Sequence, residues 1–143
     1  MIPIRLIPVD AHNWEVCARI SPSPEQSLFQ VSAPWILLQA QYCALKVWAI
    51  STPEMPVGLI SWGNWGGYDW VARLLVDAAY QNQGIGRKAL QLLEEEIPLR
   101  VRGGELRTAI HPENYAAEFL FRSEGFNLKG TFPDGERILG KEW

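Results

Sequence analysis

The chain has no apolar run approaching the ~20 residues that a membrane-spanning helix requires. It also has no Gly-Lys-Ser or Gly-Lys-Thr anywhere in its 143 residues. The first absence argues against a helical membrane span, and the second against the P-loop of mononucleotide kinases and GTPases. Cysteine is scarce: Cys17 and Cys43 stand alone without metal-ligand spacing. No metal site is expected, and both residues read as buried, reduced thiols. Positive charge is short as well, with a net charge of −3 and a pI of about 5.4. Nucleic-acid binding domains usually carry a basic stripe and a pI above ~9, so no nucleic-acid partner is expected and a cationic small substrate is better served. The opening Met-Ile-Pro-Ile-Arg-Leu-Ile-Pro-Val has no basic n-region and reads as a strand, not as a cleavable signal. With reduced thiols and no membrane segment, the expected location is cytoplasmic. Internal repeats and low-complexity tracts are absent.

What is there has the balance of one globular domain, with 48% hydrophobic and 20% charged residues. That length can bury a full core, so a single domain over 1–143 is expected. A first strand is expected over Ile2 to Val9, then helical stretches at Asn13 to Ile20 and Pro24 to Gln41, the second kinked or broken at Pro34. Ala44 to Ile50 and Val57 to Trp62 read as an antiparallel pair, and Asn64-Trp-Gly-Gly67 turns the chain into a strand from Tyr68 to Val76. Ile85, Ala89, Leu92, Leu93 and Ile97 recur at helical spacing as a core-facing stripe, with Glu94-Glu95-Glu96 as the solvated face and Pro98 as the stop. Gly103-Gly104 leads to a strand from Leu106 to Ile110. Asn114 to Glu124 forms the last helix, stopped by Gly125, and Asp134-Gly135 marks a terminal hairpin. One helix connects the strands at 68–76 and 106–110, so those two should be parallel. The expected fold class is α/β (α+β), a mixed, largely antiparallel twisted sheet with helices on both faces.

Between a strand and a helix stands Tyr80-Gln-Asn-Gln-Gly-Ile-Gly-Arg-Lys-Ala89. Two glycines allow close backbone approach to an anion, and the following helix directs unpaired N–H groups and its positive dipole end to the same point. Arg87 and Lys88 add charge there. An ordinary glycine-containing strand-to-helix turn with a basic surface would show the same residues. The dinucleotide fingerprint G-x-G-x-x-A matches in letters from Gly84 to Ala89. Its context does not, because the acidic residue near the required distance, Glu105, precedes its strand instead of ending it.

A third pattern, Q/R-x-x-G-x-G/A, fits Gln81 through Gly84 to Gly86. Farther on, Pro112-Glu-Asn114-Tyr-Ala-Ala117-Glu-Phe-Leu120-Phe121-Arg-Ser-Glu-Gly125-Phe126 is similar to P-x-N-x-x-A-x-x-L-Y-x-x-x-G-F. On these two signatures the chain resembles the GCN5-related N-acetyltransferases (GNAT). Arg73-Leu-Leu-Val-Asp77 resembles the family's strand that holds the thioester and pantetheine arm. Asn13-Trp14, Ser23-Pro-Glu-Gln26 and Pro56-Val-Gly58 resemble its spermine/spermidine acetyltransferase-like bacterial members.

The resemblance implies a single N-acetyltransferase domain that moves an acetyl group from acetyl-CoA to a primary amine, a polyamine or another small amine, by direct attack in a ternary complex. The implied donor-binding residues are Leu74, Leu75 and Val76 on the strand, and Gln81, Asn82, Gln83, Gly84, Ile85, Gly86, Arg87 and Lys88 in the loop. Asn114, Ala117 and Phe121 on the last helix complete them. A backbone N–H at about Leu75 or Val76 is the implied oxyanion donor. Two departures stand out. Phe121 occupies the place of the family's general-acid tyrosine, and Ala72 the place of a carboxylate carried by polyamine acetyltransferases of another branch. A thiol has a pKa near 8.5 and can leave as thiolate, so Phe121 slows the reaction or moves the role to Tyr80, Tyr115 or a water. It also keeps open a CoA-binding sensor or pseudoenzyme. His111 is either a base or a hydrogen-bonded loop residue. Asn114 either bonds pantetheine or caps a helix. Asp77 caps the strand end or touches the donor. Arg73 pairs with a nearby carboxylate or meets an acidic acceptor. Trp62, Trp65 and Trp70 wall an amine pocket or pack the sheet. Many family members dimerise, and a homodimer is left open.

Overall fold

The computed structural model describes residues 2–97 and 104–142. Within them, seven strands form one sheet in the order β1-β2-β3-β4-β5-β7-β6. The strands are β1 (Arg5–Pro8), β2 (Lys46–Ser51), β3 (Pro56–Trp65), β4 (Tyr68–Val76), β5 (Glu105–Ile110), β6 (Asn127–Thr131) and β7 (Arg137–Glu142). All neighbours pair antiparallel except β4 and β5, which are parallel as their helical connection requires. The expected mixed, largely antiparallel sheet with helices on both faces is what the chain forms.

The helices are α1 (Trp14–Ala18), α2 (Ala33–Tyr42), α3 (Ile85–Glu96) and α4 (Tyr115–Ser123), with short 3-10 turns at Gln26–Leu28 and Ala78–Tyr80. On one face, Cys17, Ile20, Ala33 and Ile36 of the α1/α2 layer meet Ala49, Leu59 and Leu75. On the other, Ile85, Ala89, Leu90, Leu93 and Phe121 of α3 and α4 cover Ile50, Ile60, Val71, Leu106 and Leu139. Because both faces are covered, β3 is buried continuously from Val57 to Gly63. Each fully buried Leu or Ile contributes about 1.5–3 kcal/mol of hydrophobic stabilisation.

Several local expectations are corrected. Pro34 does not kink a long helix. It sits in the first turn of α2 after the N-cap Ser32, where its missing N–H costs nothing, and the residues from Pro24 to Val31 are turns and irregular chain. The buried stripe of α3 includes Leu90, while Leu92 is only partly buried. Glu94 is not a solvated residue, because its carboxylate pairs with Lys141 Nζ at 2.8 Å and ties α3 to β7. Cys43 is exposed at the end of α2, so only Cys17 is a buried thiol. Burial first and the Asp10 charge second raise the Cys17 pKa, which keeps it protonated. The expected stop at Pro98 and the turn at Gly103 lie outside the described residues. Among the described residues, no helix is long and apolar enough to cross a membrane, and no group of His, Cys, Asp or Glu could hold a metal ion.

Candidate active site

The site is made where β4 and β5 part. Their parallel pairing runs from Asp69↔Leu106 to Val71↔Thr108 and stops there, with Thr108 Oγ1 donating to the Val71 carbonyl at 3.1 Å. At that point Ala72 is an extra residue on β4: Ser61 pairs with Arg73 and Trp62 with Val71. Such a bulge bends its strand and raises the local twist, so Arg73 to Val76 diverge from β5 while remaining paired to β3. The result is a cleft of about 570 Å³ between the two strands.

The open edge of β4 faces this cleft. The Leu74 carbonyl accepts from Gln30 Nε2 at 3.0 Å, and the Val76 carbonyl accepts from Gln81 Nε2 at 2.8 Å. Alternate residues of a strand turn their backbone groups to the same edge, so the Leu74 and Val76 N–H groups face the cleft and those of Leu75 face β3. Of the two positions expected for an oxyanion donor, Val76 is the one on the open edge.

The N-terminus of α3 forms one end of the cleft. Gly84 caps the helix with φ of 75°, a conformation that glycine adopts without strain, and Asn82 is also left-handed at φ 60°. Lys88 N–H bonds back to the Gly84 carbonyl, which leaves the N–H groups of Ile85, Gly86 and Arg87 as the unpaired first-turn donors. The atoms nearest to a Cβ on Gly86 would be in the side chains of Leu120, Leu74 and Val76, at 3.5 to 3.9 Å. The protein's own packing therefore does not demand glycine there; the space it leaves opens on the cleft. Arg87 is not a free cation, since Glu124 Oε2 lies 3.3 Å from its Nη1.

The expected residues divide by position. Leu74, Leu75, Val76, Tyr80, Gln81, Asn82, Gly84, Ile85, Gly86, Arg87, His111, Asn114, Ala117 and Phe121 line the cleft. Gln83 and Lys88 do not, and Tyr115 points elsewhere with 75% of its surface exposed. Asn114 is 7% exposed and caps α4, its Oδ1 accepting from Ala117 N–H at 3.3 Å. Asp77 likewise caps, accepting from Ala79 N–H and from Ser21 N–H. His111 Nδ1 accepts from Glu113 N–H at 3.1 Å, so its neutral ring carries the proton on Nε2, and the ring rests on Phe29 at 5.0 Å. The lone pair that a general base would use is already engaged. Phe121 is 4% exposed and stands edge-on to Phe126 at 5.0 Å. Trp65 stacks on Trp70 at 4.8 Å and Trp62 packs against Trp48; none of Trp62, Trp65 and Trp70 lines the cleft, and sheet packing accounts for them.

Leu28, Phe29 and Gln30, with Glu136 from the β6–β7 turn, also line the cleft and were not foreseen. No local signal marks them. The expected helix over Pro24 to Gln41 would have buried this segment in a regular element, and its contact with Leu74 spans 44 positions.

Comparison with known proteins agrees with this geometry. The sequence model of the acetyltransferase (GNAT) family matches residues 9–126. The chain belongs to the acetyltransferase (GNAT) family. Among solved structures, an acetyltransferase from Thermus thermophilus superposes with a TM-score of 0.79 at 16% identity, covering 100% of both chains. A GNAT acetyltransferase from Elizabethkingia anophelis with acetyl-CoA bound gives 0.69 at 17% identity, covering 98% of each. At such identities the likeness is one of fold. The spermine/spermidine N(1)-acetyltransferase of Bacillus subtilis (strain 168) is 29% identical over 80 residues, 55% of this chain and 53% of that protein. The matched segment thus spans about half the length of that curated relative.

Proposed function

We propose that the protein transfers an acetyl group from acetyl-CoA to a primary amine of a small molecule, by direct attack of the amine in a ternary complex. One observation carries this reading: the edge of β4 that β5 leaves, with the N–H groups of Leu74 and Val76, and the unpaired N-terminus of α3 open on the same cleft. A pantetheine arm needs the first and a pyrophosphate the second. Gly86 lines the cleft between them without a side chain of its own. Acetyl-CoA would supply the acyl group as a thioester. Leu74 and Val76 would hold the arm through their main chain, and the first-turn amides with Gln81 and Asn82 would hold the phosphates.

The chain's chemistry at the reacting end is chiefly main chain. The Val76 N–H would donate to the oxygen that gains charge, a role typically worth 10²–10³ in rate, or ~2.7–4 kcal/mol. An amine attacks only when neutral, and the apolar lining from Val71, Leu74 and Phe121 favours that form by desolvating the cation. Phe121 has no proton to give the leaving sulfur, so departure as thiolate, or protonation by Tyr80 or a water, takes its place. His111 and Tyr115 are the weaker candidates on placement. A polyamine is the acceptor class that the curated relatives suggest.

Buried Phe121 favours a second reading, a CoA-binding sensor with little turnover. Thiol release from acetyl-CoA across spermidine, putrescine, amino acids and a peptide N-terminus separates the two. Release above background hydrolysis with any of them establishes transfer. Binding of acetyl-CoA with no release from any amine leaves the sensor.

A further inference from the structure

We propose that the acceptor carries a carboxylate beside its amine, and that Arg73 binds it. The inference rests on the acetyl-transfer reading above and names the acceptor class of that same cleft. Arg73 follows the bulge at Ala72, lies on the α1/α2 face of β4, and lines the cleft next to Leu74. It is partly buried, and its one hydrogen-bond partner among the described residues is neutral: Nε donates to Gln39 Oε1 at 3.1 Å. Among the described residues no carboxylate pairs with it. Every other described arginine has such a partner except the exposed Arg5. Even Ser61, directly across the ladder and 0% exposed, leaves its Oγ without a hydrogen bond, so that hydroxyl does not serve the guanidinium.

A partly buried guanidinium on the cleft wall, with no partner for its terminal N–H groups among the described residues, keeps those groups available to a ligand. Its planar fork is complementary to a carboxylate, which it binds through two parallel hydrogen bonds. Glu136 lines the same cleft and has no cationic partner among the described residues. One cation and one anion on the walls match an acceptor that carries an ammonium and a carboxylate. A polyamine, with only positive charges, would meet Arg73 as a like charge. The other cleft arginine, Arg87, is engaged by Glu124 at the α3 end.

The test measures thiol release from acetyl-CoA with ω-amino acids of increasing length, each against its plain amine, together with putrescine, spermidine and an aminoalkylphosphonate. The best carboxylate-bearing amine should exceed its plain counterpart in kcat/KM by about 10- to 100-fold, the scale of a bidentate charge-assisted pair. That ratio should collapse toward one in Arg73→Gln and be partly kept in Arg73→Lys, which retains charge without the fork. Both variants are checked for the melting shift that acetyl-CoA produces, and Arg73→Lys decides alone where Arg73→Gln does not fold. Plain amines or polyamines equal to the carboxylates, a preference that survives Arg73→Gln, or a stronger response to the phosphonate would overturn the assignment. Calorimetry of an unreactive carboxylate, butyrate, on the CoA complex reads the anion site without turnover. Arg73-dependent butyrate binding with no thiol release from any amine upholds the anion site and overturns acetyl transfer. Thiol release that is indifferent to Arg73 does the reverse.

Discussion

Gln81 donates its side-chain amide to the Val76 carbonyl at 2.8 Å, joining the glycine loop to the last residue of β4. The glycine loop and the open edge of β4 are thereby held in one register. Gln81→Ala should leave the fold intact and weaken acetyl-CoA binding by about 2- to 12-fold, the range of one neutral hydrogen bond. Isothermal titration checks it. An unchanged dissociation constant would detach Gln81 from the donor site.

Gly86 separates the needs of the protein from those of its ligand. The nearest atoms to a Cβ placed there are the ends of Leu120, Leu74 and Val76, at 3.5 Å or more. Gly86→Val should therefore fold with a melting temperature within a few degrees of the parent, the shift corresponding to ~1 kcal/mol or less. Acetyl-CoA affinity should fall by more than about 10-fold because the branched side chain fills the approach to the helix N-terminus. Full affinity in this variant would remove the loop from the binding site.

Phe121 lines the cleft without a hydroxyl. Phe121→Tyr supplies one, and if sulfur departure limits the rate, kcat should rise toward the 10²-fold that general acid catalysis contributes at its low end. The pH–rate profile should gain an alkaline limb near the tyrosine pKa of about 10. A rise in kcat without that limb would point to repacking against Phe126 instead.

The two thiols should react differently. Cys43 is exposed at the end of α2 and Cys17 is buried with its pKa raised. A thiol reagent at pH 8 should label one cysteine in the native protein and a second only in denaturant. Mass mapping should place the first label on Cys43, and rapid native labelling of Cys17 would contradict the packing of α1.

Glu118 ties α4 to β7 through a fork from Arg137, Nε to Oε1 at 2.8 Å and Nη2 to Oε2 at 3.1 Å, and also accepts from Arg122. Hydrogen bonds from Arg122 and then Arg137 lower its pKa. A carboxylate with a depressed folded-state pKa adds stability that is fully present above its unfolded value of about 4.3 and is lost as pH falls through the folded one. The melting temperature of Glu118→Gln should therefore lie below that of the parent at pH 7, by about 1–4 °C. The gap should close on acidification below pH ~4. A gap that stays constant with pH would assign the effect to packing.

Much of this protein was legible from residue order alone. The strand before the loop, the glycine loop and the Pro112 to Phe126 segment announced themselves by local pattern, because glycines, caps and helical spacing act over a few residues. Pro34 was misplaced for a related reason: a proline inside an apolar stretch reads as a break, yet it can equally begin a helix when Ser32 precedes it as a cap. Glu94 and Cys43 were misjudged because pairing to Lys141 and exposure at a helix end depend on what packs alongside.

The sequence by itself determined the fold class, the family and the glycine-bearing turn before α3, all of which rest on short-range backbone preferences and hydrophobic spacing. Only the tertiary structure decided which residues share the cleft. It brought Gln30 onto β4 and Phe29 against His111, left Tyr115 outside, and gave Arg73 a neutral hydrogen-bond partner. Those relations join residues tens of positions apart, such as Gln30 with Leu74 and Gln39 with Arg73. The bulge at Ala72 and the parting of β4 from β5 shape the cleft, and no local pattern in the chain encodes that geometry.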